Sequence, residues 1–165
     1  MSGSTDKTLL LRALVERLGD ELASIESSQR AAQQVAVHPE TRQEDPKDTR
    51  AIEAGYLARG LAERAETLRH ACAMLAAFEL RDFGEDTPIA SSALVTLENE
   101  SEGRRLRVFL LPMADGEAIA LNGGEVRPVS PASPLGRALV GRTAGESLEV
   151  RTPAGTRAWI VTAVE

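Results

Sequence analysis

Aromatic residues make up only 3% of this 165-residue chain, which argues against a deep aromatic-walled pocket for a flat cofactor and so disfavours a small-molecule enzyme built around one. Cysteine is nearly missing too: Cys72 stands alone, no intrachain disulfide can form, and a reducing cytoplasm is the expected setting. Positive charge is outnumbered, with 19 Lys and Arg against 25 Asp and Glu for a net charge of -6. That is the wrong balance for gripping free duplex DNA through its phosphates. Long apolar runs are absent as well. The opening MSGSTDKTLLLRALVERL lacks a basic leader, and Arg12 and Arg17 interrupt its leucines, so neither export nor a membrane span is expected. His38 and His70 have no partner at a metal-ligand spacing, and no Gly-rich phosphate loop, Ser-His-Asp set or internal repeat occurs.

What is present divides sharply in texture. The length and the 42% apolar content suit one or two small globular units. Between about Asp6 and Val37, Leu11, Leu14, Leu18, Leu22, Ile25, Ala32 and Val35 recur at helical steps, with Gln29 the one polar member. A second series, Ala54, Leu57, Leu61, Ala65, Leu68, Cys72 and Leu75, repeats the spacing up to about Leu80. On this stripe Cys72 reads as a packing group rather than a nucleophile. Pro39 and Pro46 lie between the two series and cannot sit inside a helix, so the chain turns there. The expectation is an antiparallel helical hairpin with narrow coiled-coil seams over residues 1–83, its tip near 38–50. Arms of roughly 30 residues at about 1.5 Å per residue would reach on the order of 45 Å. With its seams satisfied within one chain, the protein is expected to be a monomer.

From Gly84 onward short alternating runs replace the long periods. Residues 92–98, 105–112, 117–126, 147–153 and 156–164 read as strands. Asn122-Gly123-Gly124 and Pro153-Ala154-Gly155 supply turns, and 133–141 reads as a short helix with proline near its start and glycine at its end. Residues 84–165 are therefore expected to form a small α+β domain, and the whole chain an α+β fold.

The run VSPASPLGRALVGRTAGESLEVRTPAGTRAWIVTAV, 129–164, resembles the C-terminal signature of the bacterial Gre family of transcription elongation factors, GreA and GreB. Ser133-Pro134, Ala138-Leu139-Val140-Gly141, Gly145-Glu146 and Pro153-Ala154-Gly155 carry the likeness. The order of a long helical hairpin followed by an FKBP-like domain is also that family's. The resemblance implies a partner, RNA polymerase, whose secondary channel receives the coiled coil. It also implies an activity: stimulated cleavage of backtracked RNA, catalysed by the polymerase and not by this protein alone. Nascent RNA would be met only inside that complex. No cofactor of its own is implied, only the magnesium of the polymerase active centre.

Set against the family's tip pattern Asp-x-x-Glu-Asn-Ala-Glu-Tyr, the closest stretch by spacing is Asp45-Pro46-Lys47-Asp48-Thr49-Arg50-Ala51-Ile52. Asp45 and Asp48 then become the magnesium ligands, with Thr49 and Ile52 departing from the pattern. A register through Glu53-Ala54-Gly55-Tyr56 keeps an acid and the tyrosine, so Glu44 and Glu53 stay open as alternatives. The same residues also read as a helix start, an N-cap acid followed by an N1 proline and an N3 acid. Ser133, Pro134, Arg137 and Gly141 are the candidate polymerase-binding residues. Two other readings stand beside this one. The first is a Gre-like regulator that occupies the channel and inhibits or retunes transcription without cleavage. The second is an FKBP-like chaperone on a coiled-coil dimeriser, for which Phe109 and Trp159 are too few aromatics to wall a proline site.

Overall fold

The structure, a computed structural model, describes residues 2–37, 49–114, 116–122, 124–153 and 155–165. Two helices come first, α1 (Ser2–Val37) and α2 (Thr49–Ala76). A six-stranded sheet follows, built from β1 (Leu94–Asn99), β2 (Arg105–Leu110), β3 (Ile119–Leu121), β4 (Gly124–Val129), β5 (Ser147–Thr152) and β6 (Gly155–Val164), with α3 (Pro134–Leu139) between β4 and β5. The α+β expectation holds. Among the described residues no helix is long and apolar enough to cross a membrane.

The chain divides into two compact units: Val15–Ala73, and Met1–Leu14 together with Met74–Glu165. In the first unit Leu18, Ala65, Leu68 and Ala71 are buried, and Leu22, Ile25 and Leu61 half-buried. Alanine at two of these positions makes the apolar stripe narrow. On its flank Arg64 reaches Glu21 at 2.6 Å and Arg69 reaches Glu26 at 2.6 Å, tying α2 to α1. The expected stripe is offset in places. Ala71 takes the buried position and Cys72 is half-buried, while Leu57 is 60% exposed. In the second unit α2 stops at Ala76 rather than Leu80, because Phe78 N–H closes a turn on the Leu75 carbonyl and Arg81 N–H is captured by Ser92 Oγ at 2.7 Å.

The strand order is β3-β4-β2-β1-β6-β5, antiparallel throughout except for the parallel pair β2–β4. The run 117–126 is two strands joined at Asn122, whose φ of 51° suits a tight hairpin. The second of these continues to Val129 through Pro128. A proline is tolerated there because β3 pairs no further along β4 than Val126, so the missing N–H costs no ladder bond.

Alternation puts Val95, Leu97, Val108, Leu110, Val129, Leu148, Val150, Trp159 and Val161 into one core with Leu139 of α3. The opposite face is also buried, at Leu94, Phe109, Ile119 and Val126. On that face Asp6 accepts from Asn122 Nδ2 at 3.1 Å and pairs with Arg107 at 3.6 Å, fastening the first turns of α1 to the sheet. Lys7 is only 1% exposed; its ammonium donates to the Arg81 carbonyl and lies 5.3 Å from the centre of the Phe83 ring. Burial lowers its pKa, with the charges of Asp82 and Glu165 opposing the shift.

Candidate functional site

The segment between β4 and β5 builds the site. Ser133 caps α3: its hydroxyl accepts from Gly136 N–H at 3.0 Å and donates to the Ser130 carbonyl at 2.7 Å, while Pro134 fills the first helical turn. Arg137 donates to the Ala132 carbonyl at 2.5 Å. Gly136 lies against the preceding loop so closely that a Cβ would stand 2.1 Å from the Ser130 carbonyl oxygen. The sequence thus folds 130–137 into one locked corner.

That corner forms one wall of a cavity of about 550 Å³. Leu106, Val129, Val150 and Trp159 of the sheet contribute apolar lining, and Ser130, Ser133, Pro134 and Leu135 stand along the side. Arg127, Arg151 and Arg157 also line it, all three exposed. Arg157 pairs with Val150 across β5–β6, and Arg127 pairs with Val108 across β2–β4, so both occupy the same sheet face as the core residues beside them. No hydrogen bond or ion pair joins the side chains of these three arginines to any described residue, and no carboxylate is among the described lining residues.

Of the four expected polymerase-binding residues, Ser133 and Pro134 line this cavity, whereas Arg137 and Gly141 do not. Gly141 has its own backbone task. At φ 86° it donates its N–H to the Ile89 carbonyl at 2.8 Å, and Ile89 returns a bond to the Arg142 carbonyl at 2.7 Å. Asp45, Asp48 and Glu44, like His38, lie outside the described residues. Glu53, Tyr56 and Arg59 are exposed on α2, and His70 is exposed further along it. Among the described residues no group of three His, Cys, Asp or Glu side chains could hold a metal ion. Sequence reasoning missed Arg127, Arg151 and Arg157. The available signal was three arginines in a chain of net charge -6, alternating with apolar strand residues near the two turns. Trp159 is the one aromatic in the cavity; Phe109 is buried on the opposite sheet face.

Comparison with curated proteins gives no match. Among solved structures the chain is similar to GreA factor homolog 1 (Gfh1) of Thermus thermophilus, at 26% identity over 92% of this chain and 94% of that one, TM-score 0.39. It is similar to Gfh1 of Thermus aquaticus at 24% identity over 91% and 92%, TM-score 0.41. The GreA/GreB elongation factor of Nitrosomonas europaea is 22% identical over 68% of this chain and 90% of that one, TM-score 0.38. Residues 86–165 match the family described as transcription elongation factor, GreA/GreB, C-terminal. This span takes in all six strands, α3 and every residue lining the cavity. The sheet domain of this chain, residues 86–165, therefore matches the C-terminal domain of the GreA/GreB transcription elongation factors.

Proposed function

We propose that the protein binds RNA polymerase, docks through the cavity side of its C-terminal domain, and places the segment between α1 and α2 in the secondary channel to stimulate cleavage of backtracked RNA. The observation that carries this reading is the family match over residues 86–165, which contain the complete sheet domain and its cavity. Asp45 and Asp48 are the acids assigned to the tip. Their role is to supply carboxylate oxygens to magnesium held by the polymerase, a metal that takes only one or two protein carboxylates and otherwise keeps its water. The chemistry of cleavage then belongs to the polymerase, and this chain contributes ligands and position.

The test uses purified full-length protein and stalled, backtracked elongation complexes, scored for RNA length. Wild type shortens the RNA. Asp45→Asn and Asp48→Asn still bind polymerase but lose the shortening, because a neutral amide is a poor magnesium ligand. Activity lost instead with Glu44→Gln or Glu53→Gln moves the assignment to those acids. Wild type that shortens no RNA and slows elongation makes the protein a channel-occupying regulator. Wild type that captures no polymerase overturns the reading altogether.

A further inference from the structure

The cavity of the C-terminal domain has an unusual charge for this chain. Three arginines with no described partner line a largely apolar hollow in a molecule of net charge -6. Unpaired guanidinium groups beside low-dielectric walls attract anions more strongly than the same groups on open surface. The planar fork of each can hold a carboxylate through two parallel hydrogen bonds.

The floor decides which kind of anion fits. Leu106, Val129, Leu135, Val150 and the two prolines Pro128 and Pro134 give it an apolar lining, which a sugar–phosphate backbone has nothing to fill. The aromatic surface on which a base would stack is largely covered, since Trp159 is only 7% exposed. A volume of about 550 Å³ is too large for a lone carboxylate. It is within the range of pockets that take a drug-sized group, about 300–1,000 Å³, and so has room for one bulky side chain together with flanking backbone.

We propose that this cavity receives an acidic peptide segment carrying one apolar side chain, the apolar group seated against Leu106 and Leu135 beside Trp159 and flanking carboxylates held by Arg127 and Arg157. The proposal rests on the reading of this domain as the polymerase-docking module and names the chemistry of the polymerase segment that docks.

Trp159 is the only tryptophan in the chain and lines the cavity, so its emission reports occupancy directly. The full-length protein is titrated with the blocked peptide Asp-Glu-Leu-Glu-Asp, with a version bearing lysine for every acid, with a version bearing serine for leucine, and with an oligouridine of similar charge. The acidic leucine peptide shifts the Trp159 emission, binds more weakly as salt rises, and binds at least tenfold more tightly than either altered peptide. The Arg127→Ala/Arg157→Ala variant, with an unchanged circular dichroism spectrum, loses about tenfold in affinity, about 1.4 kcal/mol. Equal binding of the lysine peptide, no response to the acidic one, or tighter binding of the oligouridine overturns the proposal.

Polymerase capture is measured separately on the same two proteins. If wild type and variant capture polymerase equally, the cavity is not its seat and the inference falls while the polymerase reading stands. If wild type captures none, the polymerase reading falls whatever the peptides do.

Discussion

In the helical unit Gly19, Gly55 and Gly60 stand in open space, where an added methyl would meet nothing within 4 Å, whereas in the sheet domain Gly136 sits so close to the loop before it that a Cβ would stand 2.1 Å from the Ser130 carbonyl. The same contrast runs through the side chains. The helical unit buries Leu18 and Leu68 with two alanines and leaves Leu57 exposed, while the sheet domain buries both faces of its strands. The helical unit therefore has slack that substitution can take up at all three of these glycines, and the sheet domain has none at Gly136 and little in its two-sided core. Helices need only propensity and a narrow stripe, but a sheet covered on both faces must match its neighbours residue by residue.

Each unit carries its own optical reporter for testing this contrast, the single Tyr56 in the helical unit and the single Trp159 in the sheet domain. The largest effect is expected from Leu97→Ala. This residue is fully buried in the main core, and the loss in urea unfolding followed by Trp159 should be about 2–5 kcal/mol. A loss below about 1 kcal/mol would mean that the core is looser than its burial implies. Gly136→Ala comes next, at about 1–3 kcal/mol destabilising, since backbone must move to admit the methyl. Its Trp159 emission should change as the cavity wall shifts, and an unaltered spectrum with unaltered stability would refute the close approach.

Lys7→Met tests the attachment of α1 through pH. Burial lowers the folded pKa of Lys7 from its ordinary 10.5. Between the lowered value and 10.5 the unfolded chain therefore binds more protons than the folded one, and wild-type stability gains from this group as pH rises through that window. The variant lacks that contribution. Urea midpoints taken at about pH 7.5 and about pH 10 should rise more, or fall less, for wild type than for Lys7→Met; identical pH responses would contradict the burial. The smallest effects belong to the helical unit. Gly60→Ala should stabilise by about 0.5–1 kcal/mol, because the methyl meets nothing and the unfolded chain loses freedom. Leu57→Ala should stay within about 0.5 kcal/mol. A large loss at Leu57 would show that the stripe continues further along α2 than its exposure indicates.

The sequence was most legible where its periods were long or its turns chemically marked. Both helices, the Asn122 hairpin and the capped turn at Ser133-Pro134 all stand where periodicity, φ preference and N-capping put them. It was less legible where burial depends on what stands opposite. Spacing alone cannot choose Ala71 over Cys72 or Leu10 over Leu11, since adjacent positions, about 100° apart, can stand at the two edges of one broad apolar stripe and the partner surface decides between them. The alternating run reads as strand only to residue 126, whereas β4 continues to Val129 through Pro128, which the short reach of β3 makes acceptable. The cavity was the least legible feature. Arg127, Arg151 and Arg157 come from three different strands and meet through a parallel pairing and a crossover that no local pattern announces. The acids Asp45 and Asp48 rest on the family resemblance and lie outside the described residues.

The position of β6 has a consequence for synthesis. This strand, Gly155–Val164, lies between β1 and β5, and Val95 of β1 pairs with Val164 near its far end. While the chain is still emerging from a ribosome, β1 and β2 can form their hairpin and α1 and α2 can coil, but β1 presents a bare edge and half of the main core is absent. Closure must wait until Val164 has cleared the exit tunnel. The nascent domain is therefore exposed to mispairing along β1 for as long as it takes to make about 65 further residues, roughly 3–13 s at about 5–20 residues per second.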